Sequence, residues 1–135
     1  MINANSEKLA IIAIVLPLVL SGCSSGWGFG AILPPRIDWN DTSWCVPLSM
    51  KIVLNRVARR FGPVTVHSTH RWPLENARKG GKPKSFHLTC RAVDFSVPGD
   101  PKEVIRFLKA QWEVGGYSYY SKGFYHIDNG PRRTW

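Results

Sequence analysis

The stretch Ser85-Phe86-His87-Leu88-Thr89-Cys90-Arg91-Ala92-Val93-Asp94-Phe95-Ser96-Val97 sets a histidine just ahead of a strand and an aspartate in its middle. From Arg91 to Val97 polar and apolar residues alternate and β-formers dominate, which predicts a strand with one buried face. On such a strand Ala92, Asp94 and Ser96 share one face, while Val93 and Phe95 share the other. Asp94 then points away from the core, beside an alanine too small to crowd an ion. His87 follows the turn-prone run Gly80-Gly81-Lys82-Pro83-Lys84-Ser85, from which the chain folds back toward Asp94. Further along, Phe124-Tyr125-His126-Ile127-Asp128 reads as a second short strand, with His126 and Asp128 on one face and Tyr125 and Ile127 on the other. Pairing the two strands brings His87, Asp94 and His126 together. Two imidazoles and one carboxylate are a three-ligand set that leaves one zinc ion an open position, the ligand count of a hydrolytic site rather than a structural one.

The surrounding sequence supplies a scaffold. Met50, Val53, Leu54, Val57 and Phe61 form one apolar stripe, which predicts a helix with Pro47 in its first turn and Gly62-Pro63 as its stop. Val64 to Ser68 alternates as a strand, with His67 on the face opposite Ser68 and therefore structural. Residues 72–86 read as an irregular loop with a helical turn around Leu74 to Arg78. Asp100-Pro101-Lys102-Glu103 opens a second helix as N-cap, first position and capping box. Its expected buried stripe is Val104, Ile105, Leu108 and Trp112, and Gly115-Gly116 is its expected end. Tyr117 to Tyr120 and Phe124 to Asp128 read as a hairpin across Ser121-Lys122-Gly123. There is no internal repeat. The expected fold is a small single α+β domain whose antiparallel sheet has helices on one face and the zinc site on the other.

Ahead of this domain, Leu9 to Leu20 is almost purely apolar but shorter than the roughly 18 to 20 residues that span a bilayer. It fits the apolar core of a signal peptide, and Leu20-Ser21-Gly22-Cys23 looks like a bacterial lipobox that ends in a lipidated cysteine. The expected organisation is a lipoprotein signal peptide over 1–22, a lipidated tether and lead-in over 23–45, and the zinc domain over 46–135. A weakly charged N-terminus, with only Lys8 and Glu7, leaves an uncleaved anchor as the other reading. The 135-residue chain carries a formal net charge of +9, which favours anionic partners such as cell-wall polymers and lipid headgroups. The export signal and the scattering of Lys and Arg argue against nucleic acid. Cys45 and Cys90 sit in a compartment that permits disulfides, and the sequence leaves their pairing open.

The residues Ser68-Thr69-His70-Arg71, Asn76, Gly80-Gly81, Ser85-x-His87, Ala92-x-Asp94 and Tyr125-His126-Ile127-Asp128-x-Gly130-Pro131 resemble the zinc D-Ala-D-Ala carboxypeptidase and murein endopeptidase family. The likeness runs from about residue 62 to residue 135, and the wider superfamily includes the dipeptidase of vancomycin resistance and the Hedgehog signalling domain. It implies one Zn²⁺ held by His87, Asp94 and His126, and a peptidoglycan substrate in the cell envelope. With Cys23 lipidated, the expected place is the periplasmic face of a bacterial membrane, and the expected state is a monomer. It also implies that Arg71 helps hold a substrate carboxylate, against a plain salt bridge to Glu75.

Relatives often carry a glutamate three residues before the last histidine, where this chain has Gly123, so the general base is reassigned. Asp128 is the leading candidate, either as that base or as a carboxylate that orients an imidazole. His70 is the second, as a proton relay or a donor to the oxyanion. Ser85 binds substrate backbone or steadies the turn before His87, and Asn76 steadies its loop. Arg132-Arg133 reads as a solvated terminus. Many relatives have glycine where this chain has Cys90. That departure and the missing glutamate support an alternative: a noncatalytic lipoprotein that keeps the fold and binds cell wall.

Overall fold

The computed structural model describes residues 34–135. The expected signal peptide, the lipid site Cys23 and residues 23–33 of the tether lie outside the described residues. In chain order the elements are β1 (Ile37–Trp39), α1 (Leu48–Phe61), β2 (Val64–Ser68), α2 (Pro73–Arg78), a 3-10 turn (Phe86–Thr89), β3 (Ala92–Ser96), α3 (Pro101–Lys109), β4 (Gly116–Tyr120), β5 (Phe124–Asp128) and β6 (Arg133–Thr134). The fold is a small α+β domain.

The six strands form one sheet in the order β1-β2-β3-β5-β4-β6. The four inner strands pair antiparallel as expected, but the sheet is mixed, because both edge strands run parallel to their neighbours. β1 and β6 have three and two residues, too few for a period-2 pattern to announce them.

The apolar stripe of α1 is buried as its spacing requires: Met50, Val53, Leu54 and Val57 are fully inside. Each such side chain contributes roughly 1.5–3 kcal/mol relative to exposure. They meet Val66, Val93, Phe95, Tyr125 and Ile127 from the inner strands and Val104 and Leu108 from α3. Gly62 ends α1 at φ 109°, a conformation that glycine alone adopts without strain.

α3 starts where the sequence places it, with the Lys102 N–H donating to Asp100 at 3.0 Å. No capping box forms, because Glu103 pairs with Arg106 instead. The helix also stops early, at Lys109, and Trp112 is 83 % exposed rather than buried. The cause lies far along the chain. The Arg132 guanidinium donates to the carbonyls of Lys109, Gln111 and Val114 at 2.6, 3.0 and 2.8 Å, and so satisfies the helix end with a side chain instead of another turn. Arg132 is therefore a helix cap and not a solvated terminus.

Cys45 and Cys90 are joined by a disulfide, with their Cα atoms 5.8 Å apart. Cys90 sits at φ 56°, ψ 27°, the left-handed conformation that glycine takes freely, so the turn keeps the shape a glycine would give it. The bridge ties the chain ahead of α1 to the turn that carries His87. It closes a loop of 45 residues, for which chain entropy gives a stabilisation of about 4 kcal/mol. Urea unfolding with and without reductant is expected to show a loss of that order, and coincident transitions would refute a stabilising bridge.

Candidate metal centre

The sheet face opposite the helices carries the polar cluster. Asp94 on β3 lies directly across from His126 on β5, and the Asp94 Oδ1 to His126 Nδ1 distance is 2.8 Å. His87 reaches the same point from the 3-10 turn, and its own N–H donates to the capping Ser85 Oγ at 3.3 Å. The donor atoms of His87, Asp94 and His126 all lie within 4.8 Å of one another, and all three residues are buried.

Each ligand candidate is held from behind. His87 Nδ1 lies 2.7 Å from the Thr69 carbonyl oxygen, and since a carbonyl only accepts, Nδ1 must carry the proton. In the neutral ring Nε2 is then a bare lone pair. It sits 3.2 Å from Asp94 Oδ1 without an aligned hydrogen bond, buried and unpartnered. A lone pair facing a carboxylate oxygen leaves two acceptors pointed at one spot, an arrangement that a cation resolves. Thr69 is itself fixed, because its N–H donates to Asp41 at 2.8 Å and its hydroxyl to the Thr42 carbonyl at 2.7 Å.

Asp94 is also paired with Arg71, whose Nε donates to Ser68 Oγ at 2.9 Å. Burial works to raise the Asp94 pKa, but its hydrogen bond with His126 and the two neighbouring imidazoles outweigh this and hold it well below the usual carboxylate range. On the far side of His126, Nε2 meets Asp128 Oδ2 at 2.9 Å. Burial lowers the His126 pKa, and the two flanking carboxylates, Asp128 first, reverse this and raise it.

Asp128 is fully buried and also accepts from the Gly116 and Gly130 N–H groups at 3.2 and 2.8 Å and from both terminal nitrogens of Arg133 at 3.0 and 2.6 Å. These contacts, led by His126, overcome burial and bring its pKa down to about 2. Gly116 makes room for it, because a Cβ there would lie 2.3 Å from Asp128 Oδ2.

A cleft of about 550 Å³ opens onto the cluster. Arg71, Ser85, His87, Asp94 and His126 all line it, so the structure brings together five of the residues singled out in the sequence. Asp128 is not among its lining residues, and neither is His70. His70 stands edge-on to Trp72 at 5.0 Å and lines a different cavity with Asp41, Trp44 and Glu75. Arg71 makes its ion pair with Asp94, and Glu75 pairs with Lys79.

Two contributors were not legible in the sequence: Thr69, and Arg133, which is not part of a solvated terminus with Arg132 but pairs with the buried Asp128. Thr69 acts through its backbone carbonyl, which no side-chain pattern reveals. Arg133 acts on Asp128 and stacks on Phe86 and Trp135 at 4.9 and 5.2 Å, contacts that depend on β6 returning to the sheet. Trp135 in turn lies 5.1 Å from the His126 ring.

A family model described as Peptidase M15 matches residues 34–128, which include the whole cluster. The chain belongs to the peptidase M15 family. M15 peptidases are zinc-dependent in general, and the His/Asp/His group supplies donors that suit that ion. Among curated proteins, the chain is 38 % identical over 63 residues to the peptidoglycan L,D-endopeptidase MepK of Escherichia coli K12, covering 46 % of this chain and 35 % of that protein. It is 34 % identical over 58 residues to the probable peptidoglycan L,D-endopeptidase MepK of Haemophilus influenzae, covering 42 % and 31 %. The match thus spans about a third of the length of these relatives. No solved structure matches the chain significantly.

Proposed function

We propose that this M15 chain is a zinc-dependent peptidase that hydrolyses peptide bonds of peptidoglycan, in stem peptides or in the crosslinks between them. The observation that carries this reading is the buried, unpartnered Nε2 of His87, aimed at Asp94 where the cleft opens. His87, Asp94 and His126 would hold the ion. When bound, zinc supplies Lewis acidity toward a peptide carbonyl and makes water acidic near neutral pH.

The protein's own residues organise that chemistry. Thr69 sets the tautomer of His87, Asp128 orients His126, and Arg71 aligns Asp94 while it borders the cleft. Ser85 steadies the turn under His87 and presents its edge to substrate. The substrate class is supported by the relatives' names, which also favour an endopeptidase over a carboxypeptidase. Such an enzyme works in the cell envelope. The signal peptide over 1–22, the lipid anchor at Cys23 to the periplasmic face, the lead-in over 23–45 and the domain over 46–135 are part of the same proposal.

One observation favours the noncatalytic alternative: Asp94 carries the sole side-chain carboxylate among the described residues that line the cleft. Mass spectrometry of purified muropeptides, incubated with the protein plus zinc and in parallel plus a chelator, separates the two. The expected result is chelator-sensitive loss of a crosslinked or full-length species. Unchanged muropeptides in both arms, with zinc bound, would leave a cell-wall-binding protein.

A further inference from the structure

Among the described residues four Lys and Arg side chains border the cleft, and two of them are already engaged. Arg71 is committed to Asp94 and Ser68, and Arg133 to Asp128. Lys82 and Lys84 differ. Both are exposed, both line the cleft, and neither ammonium has an ion pair among the described residues.

Their loop is nonetheless fixed. The buried Asn76 donates from Nδ2 to the Lys82 carbonyl at 2.9 Å, the Gly81 N–H donates to the Asn76 carbonyl at 2.8 Å, and the Ser85 N–H donates to the Lys82 carbonyl at 3.0 Å. Gly81 packs so closely that a Cβ would lie 2.1 Å from Asn76 Oδ1. Two unpaired ammonium groups are thus presented at the cleft by a preorganised backbone, which reduces the ordering cost of using them. The one side-chain carboxylate among the described lining residues, Asp94, is enclosed by Arg71 and two imidazoles and does not pair with either lysine.

We propose that Lys82 and Lys84 form an anion subsite that selects peptides with a free carboxylate near the scissile bond over their amidated counterparts. This rests on the peptidase reading of the cleft. It adds the two lysines to Arg71, which also lines the cleft and which the family resemblance implies for a substrate carboxylate.

The test is a binding titration on the zinc-loaded chain with a diaminopimelate-containing tripeptide, once as the free acid and once with the side-chain carboxylate amidated. Exposed lysines act through a screened field, so the expected preference for the free acid is roughly five- to ten-fold at low salt. It is expected to fall to about one in the Lys82→Gln/Lys84→Gln variant and to return in Lys82→Arg/Lys84→Arg. Equal affinity for the two peptides, binding of neither, or a preference that survives the double glutamine change overturns the subsite. A chain that shows the preference but cuts no muropeptide overturns the peptidase reading and keeps the subsite.

Discussion

Asp94→Ala is expected to abolish both metal binding and hydrolysis, with turnover down on the order of 10³-fold or more. Asp94 is the hub of the cluster: one oxygen faces both imidazoles and the other is paired with Arg71. Removing it takes away a candidate ligand and the only side-chain carboxylate among the described residues that line the cleft, leaving Arg71 and two histidines crowded together. Breaking a buried pair in this way costs about 3–5 kcal/mol of stability, so activity should be compared well below the melting point of the variant. Asp94→Asn controls for this, because it keeps the shape and removes only the charge. Zinc content after dialysis and muropeptide turnover are the two readouts. Full turnover in a folded, zinc-free Asp94→Ala protein would defeat the metal assignment.

The residues that meet in the cluster were legible because their geometry is local or follows from simple pairing. Period-2 alternation puts Asp94 on the polar face of β3 and His126 and Asp128 on that of β5, and the antiparallel register then sets Asp94 against His126. The stripe of α1 was readable for the same reason, with a period of 3.6. What escaped was nonlocal. Val104 and Leu108 extrapolate to Trp112 only while the helix continues, and Arg132 ends it from the other end of the domain. The edge strands β1 and β6 are too short to carry a pattern, so the sheet looked purely antiparallel. The supports behind the ligands, the Thr69 carbonyl and the Arg133–Asp128 pair, exist only once those segments are folded against the sheet.

Asp128→Asn separates the two roles that the sequence allowed this residue. If Asp128 orients His126, its replacement is expected to weaken zinc affinity by about 10- to 100-fold, and excess zinc should restore much of the lost turnover. If it accepts the proton from water, zinc affinity should hold while kcat falls and added zinc brings no recovery. The geometry favours the first outcome. Asp128 is fully buried, lies outside the cleft lining, and already faces two backbone N–H groups, two guanidinium nitrogens and one imidazole nitrogen. A carboxylate held at a pKa of about 2 is also a weak base for a proton that must be captured near neutral pH. Zinc affinity, read by competition with a chromogenic chelator, is therefore the decisive quantity. An unchanged affinity beside a collapsed kcat would return Asp128 to the chemistry, despite its burial.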